Sequence, residues 1–421
     1  MNISTKLILA LTLLFTFAGQ TKAEDVNDWI TQQLRYSLDL RFVDYDEMYN
    51  KAMNNEKIDR LLYFLTLIDF CDAYGVDSLA VALIDTVLVK GSDEELKDGN
   101  AAYLLRKKYH KMLLQNRYDE IERMACYIES RWRNNSTLMG WASHWHMMAK
   151  AGKDIKPVSI RREKNVVRLA PKNLNGHMCI KVDVNQFKDA RFIVDTGLLS
   201  STTISRKLAK KIGARLLPDS VMVSTADDTN IQYYMYHGIV DSLKIDGITF
   251  YNLPIKVSDE VVGKSCDGMM GAPDLIRLEY MELSYDSIVF RYPVPENTGE
   301  ANLVMNAGER GDRSITLPYT IDGHKGSFIL DTGTDFFMLP PQYAERKEAF
   351  LVEIDGMNIW MDGKFEPHDY VPHMDSRSWL GRPILKSFER LCFNFRDAHV
   401  DYILKPDINH TEYHYDGAQL K

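Results

Sequence analysis

Cysteine is scarce in this sequence, with five residues in 421: Cys71, Cys126, Cys179, Cys266 and Cys392. An odd number at irregular spacing is not a disulfide framework, and a chain of this length does not need one. None has a metal-ligand spacing and none sits in a setting that suggests cysteine catalysis, so they read as small buried apolar side chains. The one pairing left open within the first domain is Cys71 with Cys126. Long apolar runs are also lacking. Beyond the first two dozen residues no stretch approaches the roughly 20 residues that a membrane-spanning helix needs, so no transmembrane anchor is expected. Clustered basic residues are absent, and the net charge is -8 with a pI near 5.8. A nucleic-acid footprint is thereby set aside. Neither a glycine-rich phosphate loop nor a Gly-x-Ser-x-Gly elbow appears.

What is present begins with a targeting pattern over residues 1–23. Lys6 gives a positive n-region, Leu7 to Gly19 a short apolar region, and Thr21-Lys22-Ala23 the small residues that a signal peptidase reads. No cysteine follows that would mark a lipoprotein. The expectation is an exported protein, periplasmic or secreted. From 24 to 155 the apolar positions recur at helical spacing, as in Ile58, Leu61, Leu62, Leu65 and Ile68, then Ala80, Leu83, Ile84 and Val87. Helix pairs separated by short polar turns, as near Asn116, predict an α-helical domain similar to tetratricopeptide arrays, without that repeat's signature positions. His144 and His146, flanked by Trp141 and Trp145, read as partly buried rather than as ligands. A protein partner recruited through these helices is one role such a domain would serve.

Past Lys156-Pro157 the texture becomes β, after a basic, solvated linker carrying Arg161, Arg162 and Lys164. Alternating runs such as HMCIKVDV and ITLPYTI, separated by Asn, Asp and Gly, predict half-buried antiparallel strands. Within this region the chain repeats itself. HMCIKVDVNQFKDARFIVDTG and SITLPYTIDGHKGSFILDTG both show strand, polar turn, a second strand opening on Phe192 or Phe328, and then Asp195 or Asp331. A lone Asp-Thr-Gly is usually an ordinary turn, and chance supplies one in roughly one chain in ten of this length. Two copies with matched flanks are a different matter. Downstream, Gly271 with Gly381, Pro273 with Pro383, Leu275 with Leu385, Leu278 with Phe388, Leu283 with Phe393 and Tyr285 with Phe395 stand at one offset of 110 residues. Two equivalent lobes follow, spanning 156–295 and 296–405, with 406–421 as a polar tail.

At these residues the chain resembles the pepsin and retropepsin clan of aspartic proteases. Each lobe of that clan carries an Asp-Thr-Gly loop and, later, a hydrophobic-hydrophobic-Gly strand beside it. Here those are Asp195, Thr196 and Gly197 with Met269-Met270-Gly271, and Asp331, Thr332 and Gly333 with Trp379-Leu380-Gly381. The resemblance covers roughly 165–404 and implies a single-chain, two-lobed, all-β acid-protease domain, a retropepsin-like pseudodimer. It implies an aspartic endopeptidase acting on peptide or protein substrates with no cofactor and no metal. Carboxyls brought to about 3 Å cannot both ionise, so they share a proton, and a water between them becomes the nucleophile. The resemblance further implies that Thr196 and Thr332 bond across the lobes.

Lobe 2 is the more retropepsin-like, with Thr334 after its glycine and with Asp335 and Arg382 where that family places an ion pair beside the loop. Lobe 1 has Leu198, Leu199 and Ala272 at the matching positions. The longer excursion of lobe 1 contains VMVSTADDTNIQYYMYHGIV, two strand-like arms around Asp227, Asp228, Thr229 and Asn230. This hairpin is the candidate substrate-covering flap, and Tyr233, Tyr234 and Tyr236 stay open as residues that reach the substrate or merely pack. The competing reading is a catalytically silent peptide-binding or scaffold protein of the same fold. Intact aspartates in both loops weigh against it.

Overall fold

The computed structural model describes residues 23–38, 42–97, 99–174, 176–224, 232–262, 265–296, 301–305, 313–334, 337–338, 350–354, 357–362, 378–405 and 411–412. Seven helices come first: α1 (Ala23–Leu38), α2 (Tyr45–Met53), α3 (Arg60–Ala73), α4 (Asp77–Lys90), α5 (Asn100–Leu114), α6 (Tyr118–Arg131) and α7 (Ser136–Gly152). Their starts are set locally. Asp44 accepts from the Glu47 amide at 3.0 Å, Asp59 from Leu61 at 2.9 Å and Asn135 from Leu138 at 3.1 Å, satisfying donors that a helix start leaves open. Among the described residues no helix is long and apolar enough to cross a membrane.

Helix α3 is the exception to the amphipathic pattern, because ten of its fourteen residues are buried. Two of these are Asp69 and Asp72, which face α5. Lys107 bonds both, reaching Asp72 at 2.6 Å, and Lys111 reaches Asp72 at 2.5 Å and Asp77 at 2.6 Å. The Tyr103 hydroxyl donates to Asp69 at 2.7 Å. Charges this deep are tolerable only when paired. Elsewhere the helices pack as expected: Tyr109 stacks on Trp145 at 4.7 Å, and His144 lies 3.6 Å from Asp219 of the β domain. The cysteines correct one expectation. Cys71, Cys179, Cys266 and Cys392 are buried, but Cys126 is exposed on α6, and all five are free. Position 126 falls on the solvent face of an amphipathic helix, where burial is not available.

The β domain is built twice. In the first lobe Phe187–Asp195 pairs antiparallel with His177–Val184 and parallel with Gly268–Gly271; in the second, His324–Asp331 pairs antiparallel with Thr316–Ile321 and parallel with Ser378–Gly381. Registers coincide, since Gly271 stands beside Asp195 and Gly381 beside Asp331. Each parallel strand runs into a short helical segment, Ala272–Ile276 or Arg382–Ser387, with Pro273 or Pro383 in its first turn. The repeated segments meet in a shared six-stranded sheet, where Met281 pairs with Phe393 and Leu283 with Leu391. Phe192, Phe250, Phe328, Phe388 and Phe393 are fully buried cores of this arrangement.

Two stretches are more ordered than their polarity suggests. Ser159–Arg162, expected as a solvated linker, is a strand on Ile248–Val257, and Thr411–Glu412 of the expected tail pairs with Met361 and Asp362. Edge strands keep one side in water, so charge does not preclude them. The helices and the β domain are in direct contact: Met305 N–H donates to Ala73 O at 2.6 Å, Asn116 to Asn252 O at 2.6 Å, and Lys325 pairs with Asp44 at 2.8 Å.

The buried charge cluster generates a test. Removing Lys107 leaves Asp69 without a cation and Asp72 with Lys111 alone in the interior, so Lys107→Ala should lower unfolding free energy by roughly 3–5 kcal/mol. Arg123→Ala, which breaks only an exposed pairing with Asp119 and Glu120, should leave the denaturation midpoint nearly unchanged. Equal midpoints for the two variants in a urea titration would show that the cluster does not hold the helices.

Candidate active site

The strands ending at Asp195 and Asp331 deliver both residues to one point. Thr196 and Thr332, each fully buried, exchange four hydrogen bonds across it. Thr196 N–H donates to Thr332 Oγ1 at 3.1 Å and Thr332 N–H to Thr196 Oγ1 at 3.0 Å; the hydroxyls donate onward to Leu330 O and Val194 O, both at 2.7 Å. Each threonine thus closes on the strand that leads into the opposite loop. The glycines then explain themselves. A Cβ on Gly197 would land on the Asp331 carboxyl, and a Cβ on Gly333 would lie 2.6 Å from the carboxyl atoms of Asp195. Only a residue without a side chain lets the two carboxyls approach this closely.

Both carboxyls are held in the same way. Asp195 Oδ1 accepts from Gly197 N–H at 2.9 Å and Leu198 N–H at 3.0 Å; Asp331 Oδ1 accepts from Gly333 N–H at 2.8 Å, with a second backbone donor at Thr334. Behind each loop the carbonyl three residues past the aspartate is held too. Ala272 N–H donates to Leu198 O at 3.0 Å, and Arg382 N–H to Thr334 O at 2.8 Å. Gly271 has to be small for this, because a Cβ there would press on Leu198 O and Ser200 O.

The two acids are nevertheless unequal. Burial raises the proton affinity of both, and they hydrogen-bond to each other. For Asp331 the charge of Asp195 adds to burial and holds it well above the ordinary carboxylate range. For Asp195 burial is opposed by the bond from Asp331, by the two amides and by the nearby imidazole of His177. Both directions favour a proton held by the pair, and the surroundings differ in that the anionic partner weighs on Asp331 while hydrogen-bond donors face Asp195.

His177 was not singled out from sequence. Strand His177–Val184 pairs with Phe187–Asp195 up to Cys179 opposite Ile193, and His177, two residues further along, is near enough to Asp195 to favour its ionised form. Counting from the turn near Asn185 falls one residue short, because the ladder shifts between Val182 and Val184. Arg382 is buried, and its guanidinium bonds Gly176 O and Tyr285 O, the latter at 3.1 Å, while lying 4.3 Å from the Tyr285 ring. Asp335, its expected partner, lies outside the described residues, as do Asp227, Asp228, Thr229 and Asn230 of the expected flap. The arms of that hairpin are described. Arg215–Ser224 and Gln232–Ile245 pair antiparallel, with Val223 opposite Tyr233 and Met222 opposite Tyr234, and Tyr234 is exposed. Away from the dyad, Glu122, Cys126 and His146 bring one donor atom each within 4.8 Å of one another. His146 is already bonded there on both ring nitrogens, to Glu122 at 2.9 Å and Glu129 at 3.3 Å, which raises its proton affinity and accounts for the grouping as an ion pair.

Residues 180–273, which include Asp195 and Gly271, match the family model described as aspartyl protease. Among solved structures, a retropepsin-like aspartic protease from Rickettsia conorii matches at 23% identity over 32% of this chain and 93% of that one, with a TM-score of 0.24. Comparison with curated proteins returns no match. The family match over residues 180–273 makes the first lobe similar to the aspartyl proteases, and the doubled loop and doubled register repeat that pattern around Asp331 in the second.

Proposed function

We propose that this protein is an exported aspartic endopeptidase that hydrolyses peptide bonds with a water held between Asp195 and Asp331, one from each lobe. The observation that carries the reading is the pair of buried carboxyls, hydrogen-bonded to each other and clamped by the crossed threonines. Asp195, ionised, takes a proton from the water as its oxygen attacks the scissile carbonyl. Asp331, protonated, donates to the carbonyl oxygen, so that a neutral tetrahedral diol forms and no oxyanion is left in the site. Collapse then sends a proton to the departing amine and restores the shared proton. Peptide backbone fits under the hairpin of Arg215–Ser224 and Gln232–Ile245, whose exposed Tyr234 and Tyr236 offer apolar surface. Export rests on the targeting pattern of residues 1–23.

Scanning a peptide library across pH tests the reading. Asp195→Asn and Asp331→Asn should each cut turnover by at least about 100-fold, the scale of a lost general acid or base, with circular dichroism unchanged. Peptide binding by the full chain with no products at any pH would instead establish the silent binding protein.

The pH dependence follows from the directions of the two shifts. Activity needs one proton on the pair, so kcat/KM should be bell-shaped, falling at high pH as Asp331 loses its proton and at low pH as Asp195 gains one. Stability has a related sign. Because the folded pair binds a proton more tightly than an unfolded carboxyl does, its contribution is greatest below the ordinary carboxylate range and is lost as pH rises through the raised value. Asp331→Asn mimics the protonated acid. It should raise the melting temperature at pH 7, by on the order of 2 °C, and have little effect near pH 4. A lower melting temperature at pH 7 would contradict the assignment of the proton to Asp331.

A further inference from the structure

The two Asp-Thr-Gly loops are not equally furnished by their own lobes. In lobe 1, Leu199 and Ala272 stand where the resemblance places an aspartate and an arginine, so no ion pair within that lobe is available at those positions. The loop after Asp195 is nonetheless tied down twice, and both ties lead to the helical domain.

The first runs through Arg313. Its backbone N–H donates to Leu199 O at 2.9 Å, at the position of the missing aspartate. Its buried guanidinium turns the other way, donating to Asp72 O at 2.8 Å and Met305 O at 3.0 Å and pairing with Asp77 at the start of α4. Burial opposes ionisation of Asp77, yet Arg313 and Lys111 hold its carboxyl well below the usual range, so this anchor stays charged. The second runs through Arg277. Thr202 N–H donates to Asp274 Oδ2 at 2.7 Å, Asp274 Oδ1 accepts from Arg277 Nε at 3.2 Å, and Arg277 donates to Leu114 O at the end of α5 at 2.5 Å. Asp274 is fully buried, one turn past Gly271. The ties flank a cleft of about 350 Å³ between the helices and the lobes, lined by Asp77, Lys111, Leu114, Pro273, Arg277 and Arg313.

We propose that α3, α4 and α5 supply the support that lobe 1 lacks, and that Arg313 and Arg277 are positioning residues that hold the 198–202 segment from the helical domain. On this account the helices are a structural third of the site. The proposal rests on the protease reading for its kinetic arm alone. A loop displaced by even 1 Å costs catalysis more than binding, on the order of 100-fold, because the groove that holds the peptide remains.

The experiment uses the full chain with Arg313→Met, Arg277→Met, the double variant and Arg313→Lys. Each methionine variant should lower kcat about tenfold or more while KM stays within about twofold, and the double variant should fall further. Arg313→Lys should recover part of the loss, since an ammonium reaches Asp77 but does not bridge both carbonyls as the guanidinium does. Hydrogen exchange of a peptide reporting on the amides of residues 199–204, beyond those that Asp195 itself holds, should rise in the methionine variants and stay at the wild-type level in Asp195→Asn. Raised KM with unchanged kcat, or unchanged exchange in that segment, overturns the proposal. Should Arg313→Met fail to fold, Asp77→Asn, which leaves the bonds to Asp72 O and Met305 O in place, decides by the same readouts. Should the wild type cleave nothing, the protease reading fails and hydrogen exchange alone decides this one.

Discussion

Everything at the centre of this molecule depends on the crossed hydrogen bonds of Thr196 and Thr332. They are buried and reciprocal, and each joins the loop of one lobe to the strand entering the other. Two carboxyls at hydrogen-bonding distance repel when both are ionised and resist burial in any state. Something has to hold them together against that cost. A network of four satisfied bonds between the two lobes does so, and the absence of a side chain at Gly197 and Gly333 leaves room for the carboxyls. The proton shared by the pair is then a consequence of the clamp. The surroundings of Asp195 and Asp331 differ in the donors and charges that face each acid.

The same logic of buried charge recurs in the helices. Asp69, Asp72 and Asp77 are held by Lys107, Lys111 and Arg313, so that the inside of the helical domain and the edge of the active-site scaffold form one ionic network. A face so occupied is not free to recruit another protein, and the expectation of a partner bound through these helices gains no support. An asymmetric pair of lobes gains instead a neighbour on the side where its own supports are missing.

Particular residues show how much of this was legible. Asp195 and Asp331 were visible because their flanks repeat, and Gly271 and Gly381 because six aligned pairs share one offset; the structure puts each glycine beside its aspartate in identical register. The helical region was visible through its periodicity, although α3, buried nearly all round, has almost no amphipathic signal and its acidic residues looked like surface charge. Cys126 was expected inside and is exposed. His177 was missed, and counting back from the hairpin turn would have paired it with Val194, because the register shifts between Val182 and Val184. Arg313 lies in a polar stretch and Arg277 between Ile276 and Leu278, and neither position pointed to its distant partners at residues 72, 77 and 199, or 114.

Sequence by itself determined the chemistry of this protein: two acids, two glycines, two threonines, and the strands that carry them. Those follow from short-range constraints, because a strand alternates, a tight loop needs glycine and a repeat leaves its own trace. Tertiary structure decided which donors face each of the two acids and where the helices meet the loops. These depend on burial and on charges brought together from positions more than a hundred residues apart. Coulomb energy is set by distance in space and by the loss of water around it, and neither is written in the order of residues along the chain.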